Sequence, residues 1–151
     1  MTNVEFYPAV MVGHFNRITS DNENKDLKFF RDKAMFQYAK LLYSYYYLQH
    51  RYKKLGDNSY FDSIGYDGKR MIDSGGFQVR TWGVTIEPEE VLATYAKENA
   101  DVGVILDDPL VDRGMDEDII QKTLTNVKYM ADNKSKVCPN TEILNVLHGL
   151  T

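Results

Sequence analysis

The run from Met71 to Val79, M-I-D-S-G-G-F-Q-V, constrains the fold of this chain more than any other segment. It begins as a short apolar strand and ends on an acid, a hydroxyl and two glycines. A strand that delivers a carboxylate into a small-residue turn is typical of α/β proteins, where reactive groups lie at the carboxyl edge of a parallel sheet. Asp73 is therefore the first candidate for chemistry. The glycines allow close approach of a flat ligand, and Phe77 and Gln78 offer a stacking face and an amide, which suits a heterocycle.

Two later segments repeat this arrangement of an apolar strand followed by polar residues. The segment Val102 to Leu106 is predicted to be a buried strand that ends on Asp107, and Glu142 to Leu147 is predicted to be a strand that delivers His148 and Gly149. Such positions meet at one edge of a parallel sheet, so three polar strand ends indicate a shared site. The alternative, on spacing alone, is that the aspartates only cap turns and a following helix.

The order of predicted elements indicates repeated β-α-β units. We expect a strand from Tyr7 to Val12 and a loop at Thr81 to Val84. A long helix is predicted by the apolar spacing from Leu27 to Tyr45 and ends at Gly56, and further helices are predicted from Pro88 to Asn99 and from Asp116 to Met130. This alternation predicts an α/β fold built on a parallel sheet. Four such strands are half of an eight-stranded (β/α) barrel of the TIM type.

An unusually aromatic segment, Tyr43 to Tyr52 (Y-S-Y-Y-Y-L-Q-H-R-Y), lies within the predicted long helix. Aromatic rings interleaved with His50, Arg51, Lys53 and Lys54 are one way to bind nucleic acid, with rings for stacking and cations for phosphate. The alternative is that the rings pack in the core while the basic residues form a solvated helix end. On the sequence, the packing interpretation is favoured.

Length and composition limit the class of protein. With 151 residues, of which 43% are hydrophobic and 26% charged, the chain is expected to form one globular domain over residues 1–151. A net charge of −4 provides no global basic field, so a nucleic acid would have to meet a local patch. The single cysteine excludes an internal disulfide framework, and no apolar run is long enough for a membrane span. We therefore expect a cytoplasmic protein without a membrane partner.

The residues D-S-G-G-F-Q-V that begin at Asp73 resemble the signature of the tRNA-guanine transglycosylase (queuine or archaeosine tRNA-ribosyltransferase) family. The resemblance implies that Asp73 contacts the base and acts as general acid/base. It also implies a second base-recognising segment that ends on Asp107, and a third at His148 and Gly149, where the family has glutamine before the glycine. The remaining residues of the implied base pocket follow Asp73 directly: Ser74, Gly75, Gly76, Phe77 and Gln78.

The resemblance covers only the N-terminal half of a transglycosylase barrel. In the family the nucleophilic aspartate, a glycine-rich strand end and a cysteine/histidine zinc site lie in the later half, and nothing in this sequence supplies them. We therefore expect no cofactor and no metal site within this chain, with zinc only in a missing C-terminal half. A complementary half or a second copy of the chain is an expected partner, because open parallel sheets are rarely left bare.

The function implied by the resemblance is base exchange, in which guanine in tRNA is replaced by a 7-deazaguanine. DNA is the alternative substrate, as in the DNA-modifying relatives of phages and bacteria. A second interpretation is a non-catalytic purine-binding or regulatory subunit that pairs with a catalytic partner. A third is an unrelated α/β enzyme in which the match at Asp73 arises by chance.

Overall fold

A parallel sheet of four strands forms the centre of the protein. The computed structural model describes residues 7, 9, 40–63, 66–109 and 116–146. The strands lie side by side in the order in which they occur in the chain, and all neighbours are parallel. They are β1 Lys40–Ser44, β2 Lys69–Asp73, β3 Val102–Val104 and β4 Glu142–Leu144. The α/β class with a parallel sheet is therefore confirmed.

Helical segments connect the strands, as parallel pairing requires. They are α1 Tyr45–Leu55, α2 Tyr60–Ser63, α3 Gly76–Trp82, α4 Pro88–Lys97 and α5 Glu117–Val137. Pro88 occupies the first turn of α4, where its missing N–H costs no hydrogen bond. The Asp116 side chain caps α5 by accepting from the backbone N–H of Ile119. Both helix starts agree with the sequence prediction. In the described part of the chain, no helix combines the length and apolar character needed to cross a membrane.

The strand register brings the carboxyl ends of the strands to one edge. Ser44 at the end of β1 pairs with Asp73 at the end of β2, and Gly103 in β3 pairs with Ile72 on one side and with Ile143 on the other. The polar residues that follow β2 and β3 therefore emerge at the same edge of the sheet.

Aromatic and aliphatic side chains fill the core between the sheet and the helices. Tyr43, Phe61, Leu92 and Tyr95 are almost completely buried, and the rings of Tyr43 and Phe61 pack edge to face with centroids 6.0 Å apart. Gly103 is required in β3 because a Cβ there would collide with the Tyr95 ring. The Tyr95 hydroxyl donates to the carbonyl of Val104 at 2.6 Å, so α4 is bonded to the strand that it covers.

A fully buried carboxylate, Glu98, joins three helices. Its Oε1 accepts from the Tyr52 hydroxyl at 2.5 Å and from the backbone N–H of Tyr60 at 2.8 Å. Its Oε2 accepts from the Ser59 hydroxyl at 2.7 Å and from the backbone N–H of Phe61 at 3.1 Å. Glu98 follows α4, Tyr52 belongs to α1, and Tyr60 and Phe61 begin α2. Four donors compensate the cost of burying this side chain.

The structure corrects two element predictions. Lys40–Ser44, which was predicted to be part of a helix, is strand β1, because Leu41 and Tyr43 are buried in alternation with half-buried neighbours. The three-and-four spacing of apolar residues continues through Leu42 to Tyr45, but the buried side chains, Leu41 and Tyr43, follow a period of two. Thr81 and Trp82, predicted to lie in a loop, form the end of α3, and the helix stops at Gly83, whose φ is +63°.

Three predicted segments fall wholly or partly outside the described residues. Residues 27–39 of the helix expected from Leu27 lie outside the described residues, and the rest of it is β1 at Lys40–Ser44 and helix α1 at Tyr45–Leu55. Of the strand expected from Tyr7 to Val12, Tyr7 and Ala9 are described, and Ala9 forms a parallel bridge with Leu42 of β1. The last strand was predicted to continue to Leu147, and β4 ends at Leu144.

Candidate functional site at the carboxyl edge of the sheet

Asp73 ends β2 and lies at the centre of the candidate site. Its Oδ2 accepts from the backbone N–H of Gly75 at 3.1 Å. Burial raises the pKa of the Asp73 carboxyl above its ordinary value, while the Gly75 N–H, the Ser44 hydroxyl and the backbone of Ser74 lower it in turn. A carboxyl group whose pKa is moved toward neutrality by burial is suited to give and take a proton.

The turn after Asp73 is anchored to the neighbouring strand end. Ser74 is completely buried, and its hydroxyl donates to the carbonyl of Ile105, just beyond β3, at 3.0 Å. Gly75 has a φ of +87° and precedes the first residue of α3, a conformation that favours glycine. The S-G-G sequence therefore performs two tasks, since the serine binds β3 and the first glycine turns the chain into α3.

The second glycine of the turn brings two predicted site segments into contact. A Cβ placed on Gly76 would lie 2.5 Å from the backbone oxygen of Asp107 and 2.5 Å from its Oδ1. Only a residue without a side chain fits at this distance. Asp107 itself is 8% exposed. Asp107 thus lies against the turn that begins at Asp73, although 34 positions separate the two aspartates in the chain.

Phe77 and Gln78 occupy the first turn of α3 in different environments. The Phe77 side chain is 60% exposed, so its ring is available at the surface of the site. Gln78 is buried, and its Oε1 accepts no hydrogen bond from the residues that the structure describes. A buried amide oxygen of this kind calls for a partner, which a bound ligand or a water molecule would provide.

Helix α5 supports the segment that carries Asp107. The Asn126 amide donates to the carbonyl of Leu106 at 3.2 Å, and the N–H of Asp108 donates to the Thr123 hydroxyl at 3.2 Å. An Asp108 oxygen lies 4.0 Å from the Lys122 ammonium. The sequence places Thr123 on the buried face of this helix but gives no signal for the role of Asn126, because a polar residue in a helix is usually a surface residue.

His148 and Gly149 lie outside the described residues, so their roles, like those of the rest of the site, stay predictions. Among residues 40–63, 66–109 and 116–146, no cluster of three or more histidine, cysteine, aspartate or glutamate side chains could hold a metal ion.

Two cavities of about 230 and 290 Å³ lie elsewhere in the structure. Both cavities are lined by Asp101, which precedes β3. The first is also lined by Thr141, which precedes β4, and the second by Lys69 and Arg70 at the start of β2. Both cavities therefore lie at the amino edge of the sheet, opposite Asp73. The candidate site is an open edge of the sheet and is separate from these cavities.

The fold and the site together define an α/β protein whose candidate ligand groups converge at the carboxyl edge of a parallel sheet. No protein-family model matches the chain. The tRNA-guanine(15) transglycosylase of Methanococcus aeolicus is 42% identical over 65 residues, which is 40% of this chain and 10% of that protein. The tRNA-guanine(15) transglycosylase of Methanocaldococcus jannaschii is 36% identical over 77 residues, which is 48% of this chain and 12% of that protein.

These relatives confirm the resemblance to the tRNA-guanine transglycosylase family that the run at Asp73 predicts. The matched segments span about a tenth of the length of either relative.

Proposed function

We propose that this chain is the N-terminal part of a base-exchange transglycosylase and binds guanine or a 7-deazaguanine at the carboxyl ends of β2 and β3. Asp73 acts as the general acid/base, and Asp107 and Gln78 recognise the polar edge of the base. The contact between Gly76 and Asp107 carries the proposal, because it joins the two segments that the family resemblance assigns to one base.

The order of the strands supports a barrel-type arrangement. Each strand neighbours the next one in the chain, all are parallel, and helical segments separate them. A (β/α)8 barrel repeats this pattern around a closed sheet, and its ligands bind at the carboxyl ends of the strands. We infer that the four strands are half of such a barrel, which a further part of the protein or a second chain completes.

The chemistry of base exchange gives Asp73 a defined task. The reaction breaks the bond between guanine and the anomeric carbon of its sugar while an enzyme carboxylate bonds to that carbon. The base leaves with the electron pair of the broken bond, so it must gain a proton. Asp73, whose pKa is raised by burial, donates that proton and recovers one from the incoming base when the second step reverses the first.

The attacking carboxylate is assigned to residues other than those described. Asp108 follows Asp107 directly, but its backbone is bonded to Thr123 and one carboxylate oxygen lies near Lys122 on α5. This placement directs Asp108 toward α5. It also favours a second candidate function, a purine-binding subunit that holds the base without catalysing the exchange.

Calorimetric titration of the folded chain with guanine and with a 7-deazaguanine tests the proposal. Wild type should bind, and Asp73→Asn should bind at least about tenfold more weakly, because a hydrogen bond to a charged carboxylate contributes more than one to a neutral amide. The matched control is Asp132→Asn, since Asp132 is an exposed member of a surface ion pair with Lys128. Equal binding by wild type and Asp73→Asn would refute the assignment of Asp73.

Incorporation of radiolabelled guanine into tRNA and into duplex DNA separates the two candidate functions. We expect the chain alone to bind the base without incorporating it, and incorporation to require a chain that supplies the second carboxylate. Asp73-dependent incorporation by this chain alone would show that the nucleophile lies within it, and Asp108→Asn would be the next variant. Incorporation into only one of the two nucleic acids would identify the substrate.

A further inference from the structure

Helices α1 and α3 carry a concentration of positive charge that the chain as a whole lacks. Their sequences, Y-Y-Y-L-Q-H-R-Y-K-K-L and G-F-Q-V-R-T-W, contain four lysine and arginine residues and no acidic residue. The whole chain has a net charge of −4. Two carboxylates contact α1 through the hydroxyls of its tyrosines: Glu90 accepts from Tyr45 and Glu98 accepts from Tyr52.

Aromatic rings from these two helices pack together at the surface. The Tyr46 ring lies 5.1 Å from the Trp82 ring, 4.7 Å from the His50 ring and 5.5 Å from the Tyr47 ring, measured between centroids. Trp82 is 50% exposed, and His50 is exposed. We call this group, Tyr46, Tyr47, His50 and Trp82, the aromatic shelf. His50 and Trp82 are exposed and Tyr46 and Tyr47 are half-buried, so the shelf presents ring surface to solvent.

The aromatic shelf lies at the same edge of the sheet as Asp73. Tyr46 follows Ser44 by two residues, and Ser44 is the register partner of Asp73. Trp82 ends α3, which begins at Gly76 and has seven residues, a helix about 10 Å long. A ligand bound at Asp73 and a ligand stacked on the aromatic shelf would therefore be separated by a distance that one or two nucleotides can span.

We propose that the aromatic shelf binds unpaired bases of the nucleic-acid strand next to the base that is exchanged. This inference rests on the proposed function, since it places the flanking nucleotides of the same substrate. Unpaired bases stack on exposed aromatic rings, and nearby cations neutralise the phosphates that join them. Of the two sequence interpretations of the aromatic segment, the core packing holds for Tyr43, Tyr45 and Leu48, which are buried, and nucleic-acid binding is assigned to the shelf.

Trp82 provides a direct measurement because it is the only tryptophan in the chain. Titration with a single-stranded RNA of about ten nucleotides should quench its fluorescence, since a stacked base lies against the indole. Anisotropy of the same RNA carrying a dye then gives the affinity of each variant. Trp82→Ala should bind at least about fivefold more weakly, and Trp82→Phe should retain part of the affinity. Lys53→Gln should lower the slope of log affinity against log salt by about 1.

The matched control is Leu124→Ala, because Leu124 is 53% exposed on α5, away from the aromatic shelf, and should leave RNA affinity unchanged. Circular dichroism confirms that each variant is folded. RNA affinity that does not change in Trp82→Ala would overturn the proposal. So would tryptophan quenching that depends on protein concentration without RNA, which would identify the shelf as a contact between copies of the chain.

The two proposals fail in different measurements. Trp82→Ala should leave calorimetric binding of free guanine unchanged, and Asp73→Asn should weaken it. If free guanine does not bind to wild type but RNA binding still depends on Trp82, the proposed function is refuted, and the aromatic shelf remains a site for unpaired bases without a neighbouring exchange site. If guanine binds with Asp73 dependence but RNA affinity is unaffected in Trp82→Ala, only the shelf is refuted.

Discussion

Substitution of Glu98 by glutamine should destabilise the fold strongly although the side chain keeps its shape. Each carboxylate oxygen of Glu98 accepts from one hydroxyl and from one backbone N–H, that of Tyr60 for Oε1 and that of Phe61 for Oε2. A hydroxyl can rotate to accept from an amide, but a backbone N–H cannot. Whichever way the glutamine amide is turned, its NH₂ group faces a backbone donor.

The magnitude follows from these contacts. Loss of one hydrogen bond to a charged group costs about 1.5–3 kcal/mol, and a buried N–H without an acceptor costs about 1–3 kcal/mol more. The free energy of unfolding should therefore fall by about 3–5 kcal/mol in Glu98→Gln, which lowers the melting temperature by about 10 °C for a chain of this size. Urea denaturation and thermal melting followed by circular dichroism measure both quantities.

Tyr52→Phe is the matched control, because it removes one donor from Glu98 and leaves no buried group without a partner. Its cost should be about 1.5 kcal/mol, half that of Glu98→Gln or less. If the two variants were equally stable, or if Glu98→Gln were within about 1 kcal/mol of wild type, the buried backbone donors would not depend on Glu98 and the reasoning would be wrong.

Three further predictions concern the sheet edge and its core. Because burial raises the pKa of Asp73 above 3.8, the folded chain holds this proton more tightly than the unfolded chain. The stability that the proton contributes is therefore lost as pH rises through the raised pKa. In urea denaturation at a series of pH values, Asp73→Asn should gain stability relative to wild type above about pH 4. Gly76→Ala should cost about 1–3 kcal/mol by overpacking and abolish guanine binding in calorimetry, because Asp107 must move; wild-type binding would contradict this. Gly103→Ala should cost about 3 kcal/mol in the same denaturation assay, since the buried Tyr95 ring cannot move aside.

The sequence predicts the α/β class and most of the described elements because local patterns suffice for them. Strands β2 and β3 follow from short apolar runs bounded by turn residues, and Pro88 and Asp116 mark two helix starts by local chemistry. The helix prediction for Lys40–Ser44 was wrong because the aromatic and aliphatic residues there satisfy both a helical period and a strand period. The segment has too few positions to separate the two periods.

The contacts that join distant segments could not be predicted in the same way. Glu98 reaches Tyr60 across 38 positions, and Gly76 meets Asp107 across 31 positions; neither contact has a local signature. The glycine at position 76 could be identified as a place of close approach, but its neighbour could not. The roles of His148 and Gly149 rest on the resemblance alone and stay predictions.

The rigidity of the anchored turn after Asp73 would affect how a base binds at this edge of the sheet. The Ser74 hydroxyl bonded to Ile105 and the Gly76 backbone against Asp107 hold the two aspartates in place with groups that need not touch a ligand. Ordering a side chain on binding costs about 0.5–1.5 kcal/mol, and a turn that is already ordered avoids this cost. The same rigidity would prevent the turn from adjusting to a purine with a different hydrogen-bond pattern, so under the proposed function this edge of the sheet would select among bases by rejecting those that it cannot match.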